Sequence, residues 1–480
     1  MIALELQSDG WLWLSNGQFN KLEIHDRKSL MFVSKYVENK KYAKKGKSFS
    51  VCKKTKKYIG IPRNKAITIF NNKEINIKNI TLGTDVKLDI LNIKLRDYQQ
   101  SAVENVKKSY LNGKLGGILK MACGSGKTLT SLCCASMIGK KTLIVVNSGA
   151  AIIQWNNVIK SLFNNKIGIL ISRMSIETAK ELISNNDIIL TMHHALHKGK
   201  FKSIVFNEIG FVIIDEIHLY MTKTWIKMFY FISRRYILGL TATITRPDKL
   251  DYLIQWFVGD IVYRKDTCYN GKLPKVIMIN YTGNKEITKI VKTKKYDIAY
   301  SQMITNTCKD KYRNQIITSN IEKIYNDKKS QTILVMAQRI QQLWYLYNLF
   351  KEKKYDVGII LGISSQTKEI KNIVEASYDK KLIFCSLLMG KQGLDIETTN
   401  RMILINSFKT KDHGKHSESL EQLTGRILRR KWEISPEIWI INDMTTFFIN
   451  HYQLRLEYYL ECGYKIEHRN YDEKGNYIKK

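Results

Sequence analysis

Proline is scarce in this 480-residue chain: only Pro62, Pro247, Pro274 and Pro436 occur. Linkers are therefore not announced by proline and have to be read from changes of texture. The eight cysteines (Cys52, Cys123, Cys133, Cys134, Cys268, Cys308, Cys385 and Cys462) form no CxxC pair and do not cluster with histidine. That spacing argues against a zinc module and a disulfide framework, and points to a reducing, intracellular compartment. No run approaches the roughly 18 apolar residues a membrane span needs, so none is expected. The opening "MIALELQSDGWLWLSNGQ" has acids among its apolar residues and no basic leader, so it does not read as a signal peptide. Acids are also short, 43 against 78 bases, which leaves a net charge of +35. A field of that size favours polyanions: nucleic acid first, an anionic membrane surface second. A compositional bias towards lysine and asparagine accounts for part of the excess.

What is present is an ordinary globular composition, 44% hydrophobic and 25% charged, which excludes a disordered chain. Residues 1–90 carry short β-prone pieces and the acid-free lysine segment "KKYAKKGKSFSVCKKTKKY" (40–58). They read as a small, basic, β-rich accessory domain. The lysine segment suits either a duplex-binding role or a solvated loop, and "WLWL" (11–14) reads as core rather than a stacking platform. From residue 91 apolar strand-like runs alternate with helical stretches to about 265, and the pattern resumes after a polar interval and continues to 450. The expected fold is α/β, with two parallel-sheet domains in series at 91–265 and 266–450. Residues 451–480 form an extension whose polar tail, "YDEKGNYIKK", is expected to fray.

Three motifs carry chemistry. "MACGSGKTLT" (121–130) follows one strand-like run and precedes a helix-compatible one. A phosphate-binding loop needs glycines for close backbone approach, a lysine for the β/γ oxygens and a hydroxyl for Mg²⁺. Ala122, Cys123, Gly124, Ser125, Gly126, Lys127 and Thr128 supply such a loop, although Met121 stands where the full G-x-x-x-x-G-K-S/T pattern has glycine. "FVIIDEIHLY" (211–220) runs four apolar residues into Asp215 and Glu216. Alone, it is equally a buried strand leaving for solvent. Paired with the loop, it places Asp215 for the metal and Glu216 for the attacking water. In "SLEQLTGRILRR" (419–430), Gln422, Arg426 and Arg429 share one helical face. They suit a γ-phosphate, and they suit a solvated basic helix as well.

Taken in order, Gly-Ser-Gly-Lys-Thr, Asp-Glu-Ile-His, Thr-Ala-Thr and Gln-x-x-Gly-Arg-x-x-Arg resemble superfamily 2 helicases over residues 93–445. "LRDYQ" (95–99) and "LGLTATITRPD" (238–248) resemble the XPB-like and phage repair-helicase branch. The chain is also similar to the transcript-release DNA helicases of poxviruses and related cytoplasmic elements. Ile244 and Asn147 depart from that branch, each standing where proline is usual.

The resemblance implies two RecA-like domains with ATP and Mg²⁺ between them. It assigns Gln99 to adenine, and Gly393 and Asp395 in "FCSLLMGKQGLDI" (384–396) to the nucleotide. His218, Thr241 and Thr243 become coupling residues, and Gln154 and Thr191 contact nucleic acid. The implied activity is ATP-driven movement on DNA in transcription or repair, with a transcription complex as partner and no membrane. A viral origin would place the protein in the cytoplasm or the virion. An RNA helicase and a non-unwinding remodelling subunit remain the alternatives.

Overall fold

The near-continuous apolar runs become the central strands of two parallel sheets. A computed structural model describes the chain except residues 1–3, 6–10, 34–47, 71–74, 77–81, 92, 123, 233–235, 245, 247, 266–270, 285–286, 288, 293–297, 363–367, 392–395, 397, 409–410, 413–414, 417, 429–431, 446 and 479–480. It divides into two units, Met1–Cys268 and Tyr269–Lys480.

In the first unit seven parallel strands form one sheet: β1 (Gly116–Met121), β2 (Thr142–Val146), β3 (Ile167–Leu170), β4 (Ile188–Met192), β5 (Phe211–Ile214), β6 (Tyr236–Thr241) and β7 (Ile261–Lys265). Their spatial order is β7-β1-β6-β5-β2-β4-β3. All four residues of β5 are buried, because both faces of the sheet are covered. Phe211 and Ile213 face a core shared with helices Asp97–Leu111, Lys127–Ile138 and Gly149–Leu162. Val212 and Ile214 face the other core, which the N-terminal residues help to build.

There, strands Trp11–Ser15, Lys53–Lys54 and Tyr58–Pro62 form a three-stranded antiparallel sheet. Trp11, Leu12 and Leu14 pack into the same core as Phe229, Leu253 and Phe257. The Trp11 indole donates to the Phe229 carbonyl at 3.1 Å, and the buried Arg63 guanidinium donates to the Leu115 carbonyl. The N-terminal residues are thus one wall of the first unit's core.

In the second unit eight strands form one sheet: β8 (Lys275–Tyr281), β9 (Thr332–Ala337), β10 (Val357–Ile360), β11 (Leu382–Ser386), β12 (Thr399–Leu404), β13 (Glu437–Asp443), β14 (Lys465–Tyr471) and β15 (Tyr477–Ile478). Their order is β10-β11-β9-β12-β13-β8-β14-β15, parallel except for the last pair. The tail therefore does not fray. β14 pairs with β8 along its whole length, and Asp472 closes the turn to β15 by accepting from the Lys474 and Asn476 amides at 2.9 and 2.8 Å. A buried ion pair, Arg313 to Asp443 at 2.6 Å, ties the helix Lys311–Asn326 to the end of β13. Among the described residues, no helix is long and apolar enough to cross a membrane.

Candidate active site

Because β1, β6 and β5 are neighbours, the loops leaving their C-terminal ends lie side by side. Open parallel sheets bind ligands at that edge.

The loop after β1 turns on Gly124 and Gly126, with φ of +76° and +80°. That left-handed region suits glycine and strains other residues. A Cβ on Gly126 would lie 2.4 Å from the Gln99 Nε2. The helix Lys127–Ile138 then starts with its free N–H groups at the loop. Lys127 Nζ donates to the Met121 and Ala122 carbonyls at 3.1 and 3.4 Å, and Thr128 sits half-buried in the first helical turn. Gln99 is buried beneath the loop. Its Nε2 donates to the Ser125 carbonyl at 3.2 Å, and its Oε1 accepts from the Arg96 amide at 3.0 Å. One end of the side chain expected to read adenine thus braces the loop, and the other caps the start of its own helix.

After β5, Asp215 accepts from its neighbour's amide, Glu216 N, at 3.0 Å through Oδ1. Its Oδ2 accepts from the indole Nε1 of Trp155 at 3.0 Å. Burial, then the adjacent Glu216 carboxylate, push the Asp215 carboxyl up to about 6, against the Trp155 donor and the Lys127 charge. Glu216 itself has φ +47°, a left-handed conformation that is uncommon for a non-glycine residue and that concentrates at functional sites. The turn that follows packs closely on Gly239 of β6, where a Cβ would meet Ile217 Cγ2 at 3.2 Å.

His218 joins this turn to the end of β6. Its Nδ1 lies 2.8 Å from Thr241 Oγ1 and 3.4 Å from Glu216 Oε2. The Thr241 hydroxyl donates to the Thr243 carbonyl, so it must accept from His218, which places the imidazole proton on Nδ1. Arg246 donates to the His218 carbonyl and forks onto Asp248 at 2.9 and 2.8 Å.

Two of these partners were missed in the sequence: Trp155, one residue beyond the expected Gln154, and Arg246. An indole on the buried face of a helix that packs on the strand-end acids was the available signal. Gln154 is half-buried. Thr191, expected to contact nucleic acid, lies at the end of β4. It is fully buried, and its hydroxyl donates to the Leu170 carbonyl at 2.9 Å. The residues beyond it, His193 and His194, are the ones that reach the surface.

In the second unit Arg426 lies on the helix Glu418–Ile427, its Nε donating to the Gly390 carbonyl at 2.9 Å. Gln422 is on the same helix, with its side chain outside the description, as are Cys123, Gly393, Asp395 and Arg429.

The donor set fits a nucleotide with a divalent cation. Two adjacent carboxylates, one with its pKa raised by burial, lie within reach of the Lys127 charge, and Thr128 stands beside that lysine in the first helical turn. Ser125 Oγ, Glu216 Oε2 and the Tyr220 hydroxyl are buried without a hydrogen-bond partner among the described residues, and the 3.4 Å approach of His218 leaves Glu216 Oε2 short of one. Buried polar atoms are almost always satisfied, so these call for a ligand, water or ion.

Comparison with known proteins agrees. Residues 92–246 match the family described as "Type III restriction enzyme, res subunit", and residues 312–431 match "Helicase conserved C-terminal domain". The chain is 28% identical over 450 residues to protein L396 of Acanthamoeba polyphaga mimivirus, provisionally named an ATP-dependent RNA helicase, covering 91% of this chain and 79% of that one. It is 25% identical to the XPB helicase/translocase subunit of the general transcription and DNA repair factor IIH of Danio rerio, over 75% of this chain but only 45% of that protein. It is 23% identical to transcript termination protein A18 of Yaba-like disease virus, over 74% of each. In fold it is similar to the ATP-dependent Type ISP restriction-modification enzyme LlaBIII, solved bound to DNA, with a TM-score of 0.54 at 14% identity over 80% of this chain and 32% of that one. With two family regions that together span more than half its length, the chain belongs to the superfamily 2 helicases.

Proposed function

We propose that the protein is a nucleic-acid-dependent ATPase that moves along DNA and separates its strands. The observation that carries this reading is the His218 bridge. A single imidazole touches both Glu216, beside the expected hydrolytic water, and Thr241, at the end of the neighbouring strand.

In this mechanism Lys127 leaves the loop carbonyls for the β/γ-phosphate oxygens, and the helix N-terminus binds the same charge. Thr128 and Asp215 would hold Mg²⁺, which would supply positive charge against the phosphates. Glu216 orients a water and takes its proton as the oxygen attacks the γ-phosphorus. The bond to the β,γ-bridging oxygen breaks, and ADP leaves with inorganic phosphate. Gln422, Arg426 and Arg429 supply positive charge and orientation to the transferring group. Loss of the γ-phosphate then relaxes the residues that gripped it, and His218 passes that change to Thr241 and Thr243. Residues 1–90 serve as an accessory module, 91–265 and 266–450 as the two motor domains and 451–480 as an extension.

DNA and a role in transcription or repair are supported by the names of the XPB and A18 relatives. The name of the mimivirus relative favours a second reading, an RNA helicase. The test is ATP hydrolysis with single-stranded DNA, duplex DNA and RNA side by side. DNA is expected to stimulate most. Equal or greater stimulation by RNA would reverse the substrate assignment, and stimulation by none would remove nucleic-acid dependence.

A further inference from the structure

The nucleotide site leaves one charged feature unused, the lysine hairpin of the N-terminal module. Lys53–Lys54 pairs with Tyr58–Pro62, in the register Lys53↔Gly60 and Lys54↔Ile59. Its turn is locked on itself: the Thr55 amide donates to the Tyr58 carbonyl at 2.9 Å, and the Tyr58 amide to Thr55 Oγ1 at 2.9 Å. Asn16 grips it from outside, through its amide to the Lys57 carbonyl at 3.2 Å and its Nδ2 to the Lys56 carbonyl at 3.3 Å.

The lysines divide in two kinds. Lys53 turns inward, donating to the Tyr230 carbonyl at 3.1 Å and lying 5.3 Å from the Trp13 ring centroid. Lys54, Lys56 and Lys57 are exposed, with no carboxylate paired to them among the described residues. A fixed backbone thus gathers three like charges that a loose loop would let drift apart.

We propose that this hairpin grips the sugar–phosphate backbone of a nucleic-acid duplex. The inference rests on the reading that the protein works on nucleic acid. A duplex presents about one charge per 1.7 Å of axis, dense enough for each ammonium to find a phosphate. Sites for single strands add aromatic platforms on which bases stack. Here Trp11 is in the core, Trp13 is half-buried beside Lys53, and Tyr58, 49% exposed, sits at the tip. The hairpin is also placed for the task. The Tyr230 hydroxyl donates to the Cys52 carbonyl at 3.3 Å, fixing the hairpin beside the segment that bears the exposed Lys223 and Lys227. The hairpin thus adds its three charges to a unit whose neighbouring segment already carries the exposed Lys223 and Lys227.

The test compares the full chain with its Lys54→Gln/Lys56→Gln/Lys57→Gln variant. Binding to a blunt 20-base-pair DNA duplex and to a 20-nucleotide single strand is measured from 50 to 200 mM salt. The variant is expected to bind duplex about 10- to 100-fold more weakly at 50 mM, with the slope of log K against log salt shallower by about 2 to 3. Its single-strand affinity and basal ATP hydrolysis are expected to stay within twofold of wild type. Unchanged duplex affinity and slope would overturn the proposal, and so would an equal loss on single strands. The underlying reading is judged separately, by stimulation of the wild-type protein: a stimulated wild type with an unchanged variant removes the hairpin's role alone.

Discussion

Trp155 and Asp215, sixty residues apart in sequence, meet through a 3.0 Å hydrogen bond from the indole Nε1 to the carboxylate Oδ2. Asp215 Oδ1 is held by the Glu216 amide, so the two bonds together fix the plane of the expected metal-binding carboxylate. Trp155 is 1% exposed, which fixes the donor in turn.

Trp155→Phe keeps most of the packing and removes the donor. A hydrogen bond to a charged group is worth about 1.5–3 kcal/mol, so the Mg²⁺ concentration for half-maximal ATP hydrolysis should rise by about tenfold or more. A magnesium titration of wild type and variant measures this. An unchanged midpoint would show that the indole only fills space.

Asp215 also carries a stability consequence with a definite sign. Its folded-state pKa of about 6 lies above the ordinary 3.8, so ionisation opposes folding. The penalty is absent below about pH 4, grows between 4 and 6 and is complete above 6. Asp215→Asn should therefore stabilise the nucleotide-free protein at pH 7.5 by on the order of 1–2 kcal/mol, and not at pH 4. Thermal melts of both proteins across that range decide it. A variant less stable at pH 7.5 would contradict the account.

His218→Ala breaks the bridge to Thr241 while leaving Lys127, Asp215 and Glu216 in place. DNA unwinding is expected to fall at least tenfold more than ATP hydrolysis, measured with a fluorescent duplex and by phosphate release in parallel. Equal losses would return His218 to a purely catalytic or structural place.

Gln99 offers a choice between two roles. As a brace for the phosphate loop, its loss in Gln99→Ala should raise the KM for ATP and GTP by similar factors. A loss confined to ATP would restore adenine reading.

The glycine turn after β1 and the acid pair after β5 were legible in the sequence because each makes demands of the backbone. Gly124 and Gly126 take left-handed angles, and an apolar strand must end before Asp215. At Thr191 strand periodicity does not say which neighbour a buried hydroxyl will meet, and here it is the Leu170 carbonyl. The tail was misread because hydrophobicity does not mark β14. That strand is held by backbone pairing to β8, by the Lys275–Glu467 ion pair and by Arg469 over Trp439 at 4.6 Å. Residues 1–90 looked self-contained, since nothing local reveals that Trp11 completes a core built around Phe229 and Phe257.

The central claim is that Lys127, Asp215 and Glu216 form one hydrolytic site whose output nucleic acid controls. Phosphate release from ATP, with and without DNA, by wild type, Lys127→Ala and Glu216→Gln tests it most directly. Wild type should be stimulated by DNA, and both variants should fall at least a hundredfold while keeping wild-type melting behaviour. Folded variants that hydrolyse ATP at the wild-type rate would contradict it.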